Sequence, residues 1–368
     1  MTKKVALVIF RYFPYGGLQK DFINTVLELS KRNLDITIFC REWSGDMPNG
    51  VKIHKIETYG LSNHKKNQNF YHQLQRDLAS LGPDLVFGFN KIPNLDLYFA
   101  GDTCYVNSNK QKNFLYKLTP RFKQFSFFEK EVFAQNKKTK ILLLNKKQKN
   151  IFYEEYKTEE SRLNIVPPGL SDDWIDKESS LDLREELGIK KSSKLLLFVG
   201  SDFSRKGLDR LIIAFASLDI ENGDFYLLIA GDDNSKTFKS LTTKLGINNR
   251  VKFMGPRHDI QRLMMNSDLL VHPAREEAAG NVIVEAMASL LPVLVAQEVG
   301  YSDLVSEKEA GMVIDKPFTQ IGLNKNLQQM VQLEKLNFYR EKLKTLSNEF
   351  FYSRYTFICN IVEKYLNE

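Results

Sequence analysis

Residues 271–295 read VHPAREEAAGNVIVEAMASLLPVLV. An apolar run at 269–271 ends at His272 and Pro273, and a loop with two carboxylates follows. Residues 282–289 have helical spacing, and Pro292 opens another apolar run at 293–296. Strand, loop, helix, strand is the repeating unit of a parallel sheet. Glu277 and Glu285 are eight positions apart, with Ala278, Ala279 and Gly280 at the expected helix start. Small residues there let a ligand approach the backbone N–H groups and the positive end of the helix dipole. Were the span all helix, the two carboxylates would lie roughly 12 Å apart along the axis. That is the scale of a sugar plus a diphosphate, so one carboxylate could hold each end of a nucleotide sugar. A solvated helix cap has the same pattern, so the rest of the chain must decide.

The alternation extends in both directions. Apolar runs at 5–10, 36–39, 51–56, 85–89, 97–100 and 141–144 read as strands, and 18–31, 69–81 and 113–135 as helices. The second half repeats the scheme, with strands at 195–200, 225–231, 251–254, 269–272, 293–296 and 312–314. Its helices fall at 208–218, 236–245, 260–266 and 282–289. Each half is an α/β domain with a parallel sheet, whose ligands bind beyond the carboxyl ends of the strands. The cluster Val166-Pro167-Pro168-Gly169 interrupts the pattern and marks a domain boundary and hinge. The expected division is 1–168, 169–348, and a closing helix over 349–368 that packs back on the first domain.

Composition narrows the function. The 368 residues are 43% hydrophobic and 26% charged, values of a globular chain of two ordinary domains. Three widely spaced cysteines, Cys40, Cys104 and Cys359, support neither a disulfide framework nor a metal knuckle. The opening MTKKVALVIF is too short for a signal peptide or a membrane span, so a cytoplasmic protein is expected. A net charge of +7 and a pI near 9.0 favour an anionic partner. No nucleic-acid recognition motif accompanies the charge, and nucleic acid is not an expected partner.

Two further motifs lie where strands meet helices. RYFPYGGLQKD, residues 11–21, places Gly16 and Gly17 just before a helix, where backbone can fold against a phosphate or sugar. It is not G-x-G-x-x-G, so no dinucleotide site is indicated. FVGSDFSRKG, residues 198–207, places Arg205 and Lys206 ahead of a helix, where two cations oppose the dipole unless an anion joins them. A diphosphate meets that need, through a planar fork from Arg and a point charge from Lys. Asp232 and Asp233 read as a loop, and His54, His64, His72 and His258 have no metal-ligand spacing. His272 reads as a structural or supporting residue and not as a catalytic base.

Taken together, the glycine loop, G-S-x-x-x-R-K-G and E-A-A-G-x-x-x-x-E resemble the GT-B glycosyltransferases of the retaining family 4 type. Four segments resemble, within that family, transferases that add glucose to an inner-core heptose of lipopolysaccharide. They are RYFPYGGLQKDF, VFGFNKIPNLDLYFAGDTCY, VGSDFSRKGLDR and HPAREEAAGNVIVEA, which span residues 11 to 286. The resemblance implies two Rossmann-like domains facing across a nucleotide-sugar cleft, with a C-terminal helix returning to the N-terminal domain. It implies UDP-glucose as donor, a lipid-linked lipopolysaccharide core as acceptor, and no cofactor or metal. By position, Arg205 and Lys206 would neutralise the diphosphate and Glu277 would bind sugar hydroxyls. Ala279, Gly280 and Asn281 would present N–H groups to sugar or phosphate, and Glu285 would hold the ribose. Gly16 and Gly17 would back the diphosphate, while Asp21 and Asp102 would lie on the donor-sugar and acceptor side. The loop at Arg257 would read the base through its backbone. A family 4 enzyme using mannose, galactose or N-acetylglucosamine is the alternative.

Between Tyr105 and Lys140, lysines and arginines alternate with aromatics and few acids. Lys112, Lys117, Arg121, Phe122, Lys123 and Phe125 are the expected contacts with an anionic membrane, which would hold the protein on the inner face of the inner membrane.

Overall fold

The structure, a computed structural model, describes residues 2–14, 16–170, 174, 182–218, 224–346 and 354–368. It separates into two units, Met1–Pro167 with Ser353–Glu368, and Pro168–Tyr352. Each is a parallel-sheet, Rossmann-like α/β domain with its own core.

The strands of the first unit are β1 (Lys3–Val8), β2 (Arg11–Tyr12), β3 (Leu34–Cys40), β4 (Glu42–Trp43), β5 (Lys52–Lys55), β6 (Leu85–Gly88), β7 (Leu97–Phe99), β8 (Lys140–Leu143) and β9 (Leu163–Ile165). Seven of them form one parallel sheet in the order β5-β3-β1-β6-β7-β8-β9, and β2 and β4 pair separately. Strands sandwiched between helices are buried on both faces and read as continuous apolar runs. Val5 to Val8 are accordingly wholly buried, with Val5 facing Ile36 on one side and Leu85 on the other.

In the second unit, β10 (Lys194–Val199), β11 (Phe225–Ala230), β12 (Val251–Gly255), β13 (Leu269–His272), β14 (Val293–Ala296) and β15 (Gly311–Ile314) take the order β12-β11-β10-β13-β14-β15. The direction of winding reverses between β10 and β13, and in the first unit between β1 and β6. Such switch points leave an opening beyond the carboxyl ends of the strands, where ligands bind. Leu208, Leu211, Ile212 and Phe215 recur at helical spacing and bury one face of helix Leu208–Ala216 in this core.

Several elements differ from the sequence reading. The expected helix at 113–135 is two, Phe114–Leu118 and Pro120–Phe133. Thr119 divides them because its Oγ1 accepts from Phe122 N at 3.2 Å, and Pro120 takes the first helical position, where its missing N–H costs nothing. Helix Asn63–Leu81 begins six residues before its expected start, because its first turns carry almost no apolar residue. Helix Lys146–Tyr156 and strand β9 went unread, the one for its charge and the other for its brevity. The closing helix is described over Arg354–Asn367, and its expected start at 349–353 lies outside the described residues.

That helix packs on helix Gly17–Ser30 through a buried ion pair. Arg354 is wholly buried, and its Nη1 donates to Asp21 Oδ1 at 3.0 Å while its Nε donates to Pro167 O at 3.1 Å. A second buried pair joins the loops beyond β6 and β7 to helix Pro120–Phe133. Lys91 Nζ donates to Glu129 Oε2 at 2.5 Å and to Thr103 O at 2.6 Å. Glu129 also accepts from Tyr105 N, Val106 N and the Tyr156 hydroxyl. Burial alone would raise the Glu129 pKa, but Lys91 and the two backbone N–H groups outweigh it and hold it below the ordinary value.

Breaking a buried pair from one side strands the other charge, so Lys91→Met should cost about 3–5 kcal/mol at neutral pH. The sign with pH follows from linkage. Glu129 binds its proton less readily folded than unfolded, so its contribution is complete above the ordinary carboxylate pKa and declines as pH falls through the lower folded value. Urea denaturation of wild type and variant between neutral and acid pH measures both effects.

Candidate functional site

The loops beyond β10 and β13 meet at the switch point of the second unit, and they bring three of the expected residues into one cluster. After β10 the chain turns at Gly200, and Asp202 orders the next turn. Its backbone carbonyl accepts from Lys206 N at 2.9 Å, and its carboxylate accepts from Arg205 Nε at 2.8 Å. Gly207 then enters helix Leu208–Ala216 at φ +76°, and a Cβ there would lie 2.2 Å from Pro273 O. Only glycine fits so close an approach of two backbones. Arg275 fastens the loops from the other side. Its N–H donates to Arg205 O at 2.8 Å, and its guanidinium grips both oxygens of Asp209 at 2.8 and 2.6 Å.

Glu277 is not on a helix. It lies on extended chain in a parallel bridge with Val299, and its carbonyl accepts from Gly300 N at 3.0 Å. Helix Asn281–Ala288 starts four residues later from Gly280, which has φ +90° and no side-chain cap. The rise of a continuous helix therefore does not measure the separation of Glu277 from Glu285, which lies within that helix.

The Glu277 side chain is 16% exposed and is held by the two residues expected to meet a diphosphate. Its Oε2 accepts from Arg205 Nη1 at 3.3 Å and pairs with Lys206 Nζ. Burial would raise the Glu277 pKa, but its close polar neighbour His272 and the Lys206 and Arg205 charges hold it well below the usual carboxylate range. Lys206 moves the other way: burial lowers its pKa and Glu277 only partly restores it. The Arg205 side chain is 42% exposed and that of Lys206 13%, so the first is open to a ligand and the second lies at the bottom.

The remaining expected residues fall around this cluster or in the other unit. Ala279 and Gly280 are buried at the helix start, beside Asn281. Arg257 grips Asp259 at 2.7 and 2.6 Å, so its side chain is engaged within its own loop. In the first unit, Gly16 precedes helix Gly17–Ser30 with no side-chain cap, and nothing lies within 4 Å of a Cβ built on Gly17. Asp21 is 3% exposed and accepts from Arg354 and from the Tyr355 hydroxyl at 3.1 Å, so it ties two helices together. Asp102 is exposed on a pinned loop, where Gln148 Nε2 donates to its carbonyl at 3.0 Å and Lys91 holds the next one.

Among the expected membrane contacts, Lys112, Arg121 and Lys123 are exposed and Lys117 is half-buried. Phe122 and Phe125 instead pack against the Tyr105 ring at 5.7 and 5.3 Å. The exposed apolar side chains of this segment are Phe114, Leu115, Leu118 and Phe127, which the division at Thr119 turns outward. Sequence reading missed Asp202 as the partner of Arg205, although the i, i+3 spacing was visible. It gave no role to Lys91, Glu129 or Arg354. Among the described residues, no group of His, Cys, Asp and Glu is placed to hold a metal ion, and no helix is long and apolar enough to cross a membrane.

Paired loops of this kind at a sheet switch point suit a ligand with a phosphate and a polyol. Comparison with known proteins identifies the family. The family model of glycosyl transferases group 1 matches residues 179–345. The lipopolysaccharide glucosyltransferase WaaG of Escherichia coli K12 is 40% identical over 329 residues, 88% of this chain and 88% of that protein. The chain belongs to the group 1 glycosyl transferases. A crystal structure of WaaG, described as a glycosyltransferase involved in lipopolysaccharide biosynthesis, superposes with a TM-score of 0.92 at 36% identity. It covers 97% of this chain and 99% of that one. Anabaena Alr3699/HepE in complex with UDP and glucose shares the fold, with a TM-score of 0.76 at 18% identity and 99% coverage of both chains. The fold of this group 1 transferase is therefore GT-B, built from two Rossmann-like domains.

Gly207→Ala should lower stability by about 2 kcal/mol or more, because it adds a left-handed φ to a backbone clash. The urea midpoint measures the loss, and nucleotide affinity should fall with it as the Arg205 loop is displaced.

Proposed function

We propose that the protein is a retaining glucosyltransferase that moves glucose from UDP-glucose onto an inner-core heptose of lipopolysaccharide. The observation that carries the reading is the Arg205–Lys206–Glu277 cluster, in which two cations suited to a diphosphate adjoin a carboxylate suited to sugar hydroxyls. The 40% identity with a lipopolysaccharide glucosyltransferase over 88% of the chain supports the choice of sugar and acceptor.

In this reading the second unit binds the donor. Arg205 and Lys206 neutralise the charge that develops on the departing diphosphate, the task a divalent cation performs in other enzymes. Glu277 orients the hexose, with Ala279, Gly280 and Asn281 at the helix start beside it. Glu285 holds the ribose, and the backbone at Arg257 meets the base. The first unit binds the acceptor, with Gly17 beside Gly16 offering open backbone and Asp102 an exposed carboxylate. Asp21, one turn past the glycine loop, is held by Arg354 and Tyr355. The bond from the glucose C1 to the β-phosphate oxygen breaks, and a bond from C1 to the heptose oxygen forms on the same face. The acceptor proton passes to the departing phosphate oxygen, and UDP leaves. The exposed Phe114, Leu115, Leu118 and Phe127, with Lys112, Arg121 and Lys123, attach the first unit to an anionic membrane at about 1 kcal/mol per cation near the surface.

Isothermal titration with UDP, UDP-glucose, UDP-galactose and GDP-mannose tests the donor. UDP-glucose should bind tightest, and Glu277→Ala should weaken it while UDP still binds. Preference for GDP-mannose would replace the sugar and keep the fold. Removing one cation that meets transition-state charge typically costs 10²–10³ in rate, and Lys206→Ala should lower kcat by about that factor. A glycosyl-enzyme trapped on Asp21 or Asp102 would overturn the front-face step. Flotation with anionic vesicles should fall when Phe114 and Leu115 are both replaced by Ser, and equal flotation with neutral vesicles would count against the attachment.

A further inference from the structure

His272 ends β13 with its ring wholly buried, and neither Nδ1 nor Nε2 has a hydrogen-bond partner. Buried polar groups are nearly always paired, so an unpaired imidazole asks for a reason. Its surroundings supply one. Nε2 lies 3.8 Å from Glu277 Oε2, just beyond a hydrogen bond, and this oxygen is the one that Arg205 and Lys206 already share. Three donors therefore converge on one acceptor, and two of them are the cations assigned to the diphosphate. The imidazole is wholly buried beside the Phe198 ring, with the centroids 6.4 Å apart, which restricts it to small movements. The bridge to Val299 and the bond from Gly300 N fix the Glu277 backbone beside it.

A diphosphate that takes Arg205 and Lys206 must take them from Glu277, which would leave a carboxylate largely buried without a counter-charge. We propose that His272 is a positioning residue for this exchange: when the cations turn to the diphosphate and hexose hydroxyls take one oxygen of Glu277, the His272 Nε2–H closes on the other, Oε2, and fixes the carboxylate toward the sugar. Sugar recognition is thereby coupled to diphosphate recognition, and the nucleotide without its sugar binds at a disadvantage. The inference rests on the donor-site reading above. Burial, reinforced by the Lys206 and Arg205 charges and only partly offset by Glu277, keeps the His272 pKa below the ordinary imidazole value, as a neutral N–H donor requires.

The test measures affinities for UDP against UDP-glucose, and for GDP against GDP-mannose, by titration calorimetry on three variants. His272→Phe keeps a ring beside Phe198 and removes both nitrogens, and His272→Gln returns an N–H at the reach of Nε2. A single hydrogen bond to a charged group corresponds to about tenfold in affinity. His272→Phe should therefore weaken the preferred nucleotide sugar about tenfold and its nucleotide by less than about twofold, with His272→Gln recovering most of the loss. Glu277→Gln should tighten the nucleotide alone by about tenfold, because the cations are no longer engaged. Equal weakening of both ligands in His272→Phe, or no change in either, overturns the proposal. Unchanged or weaker nucleotide binding in Glu277→Gln does so too, even if the histidine variants fail to fold. If the wild-type protein binds neither nucleotide pair, the donor-site reading falls and the proposal with it. If it binds one pair with an unaltered preference in every variant, the proposal alone falls.

Discussion

A carboxylate with little access to water must be compensated where it stands, and Glu277 is compensated by residues from a different loop. Arg205 and Lys206 follow β10, Glu277 follows β13, and the two strands are neighbours at the point where the sheet reverses its winding. The pairing forms only if both loops take their observed paths, and most of the surrounding detail serves that end. Gly207 lets the first loop pass against Pro273 O, Arg275 bonds to Arg205 O and grips Asp209, and the Val299 bridge aligns the second loop. No one of these contacts accounts for the geometry, and the loss of any one loosens the charge cluster.

The first unit solves the same problem with different residues. At its switch point the loop beyond β6 supplies Asn90, whose Oδ1 accepts from Phe10 N at 2.7 Å, and Lys91, which pairs with the buried Glu129. Asn90 thus sets the exit of β1 toward the glycine loop, while Lys91 and Gln148 hold the strand end that carries Asp102. The Phe-Asn-Lys segment is in this sense a support for two loops that would otherwise be free. Asp21 serves a similar purpose one turn into its helix, where Arg354 and Tyr355 of the closing helix meet it.

How far these arrangements can be read in advance depends on the range of the interaction. Buried parallel strands are legible because every residue along them is apolar, and 269–272 and 293–296 match the observed β13 and β14 in full. Helix Lys146–Tyr156 is illegible for the opposite reason, since its sequence KKQKNIFYEEY has only a narrow apolar face. The basic aromatic segment shows a subtler failure. A helix drawn through 113–135 puts Phe122 and Phe125 on an outer face, but the break at Thr119 turns both toward Tyr105 and leaves Phe114 and Leu115 outside. Of the candidate site, the residue types and their loops were readable. Their mutual pairing was not, because Lys206 and Glu277 are 71 positions apart and Asp21 and Arg354 are 333 apart.

That pairing changes what the two motifs mean. Read separately, an Arg-Lys pair ahead of a helix is a phosphate site awaiting its ligand, and a Glu in the next loop is a sugar site. Read together, the cations already have an anion, so an incoming phosphate gains only the difference between its own interaction and that of the resident carboxylate. A free inorganic phosphate would satisfy the cations and strand Glu277, and so would a nucleotide lacking a sugar. In the proposed function, a nucleotide sugar brings a diphosphate for Arg205 and Lys206, and hydroxyl donors for the carboxylate they release. On that proposal the cluster would select a ligand that carries both groups in one molecule, through the polar group that a partial ligand would leave unpaired and not through added attraction.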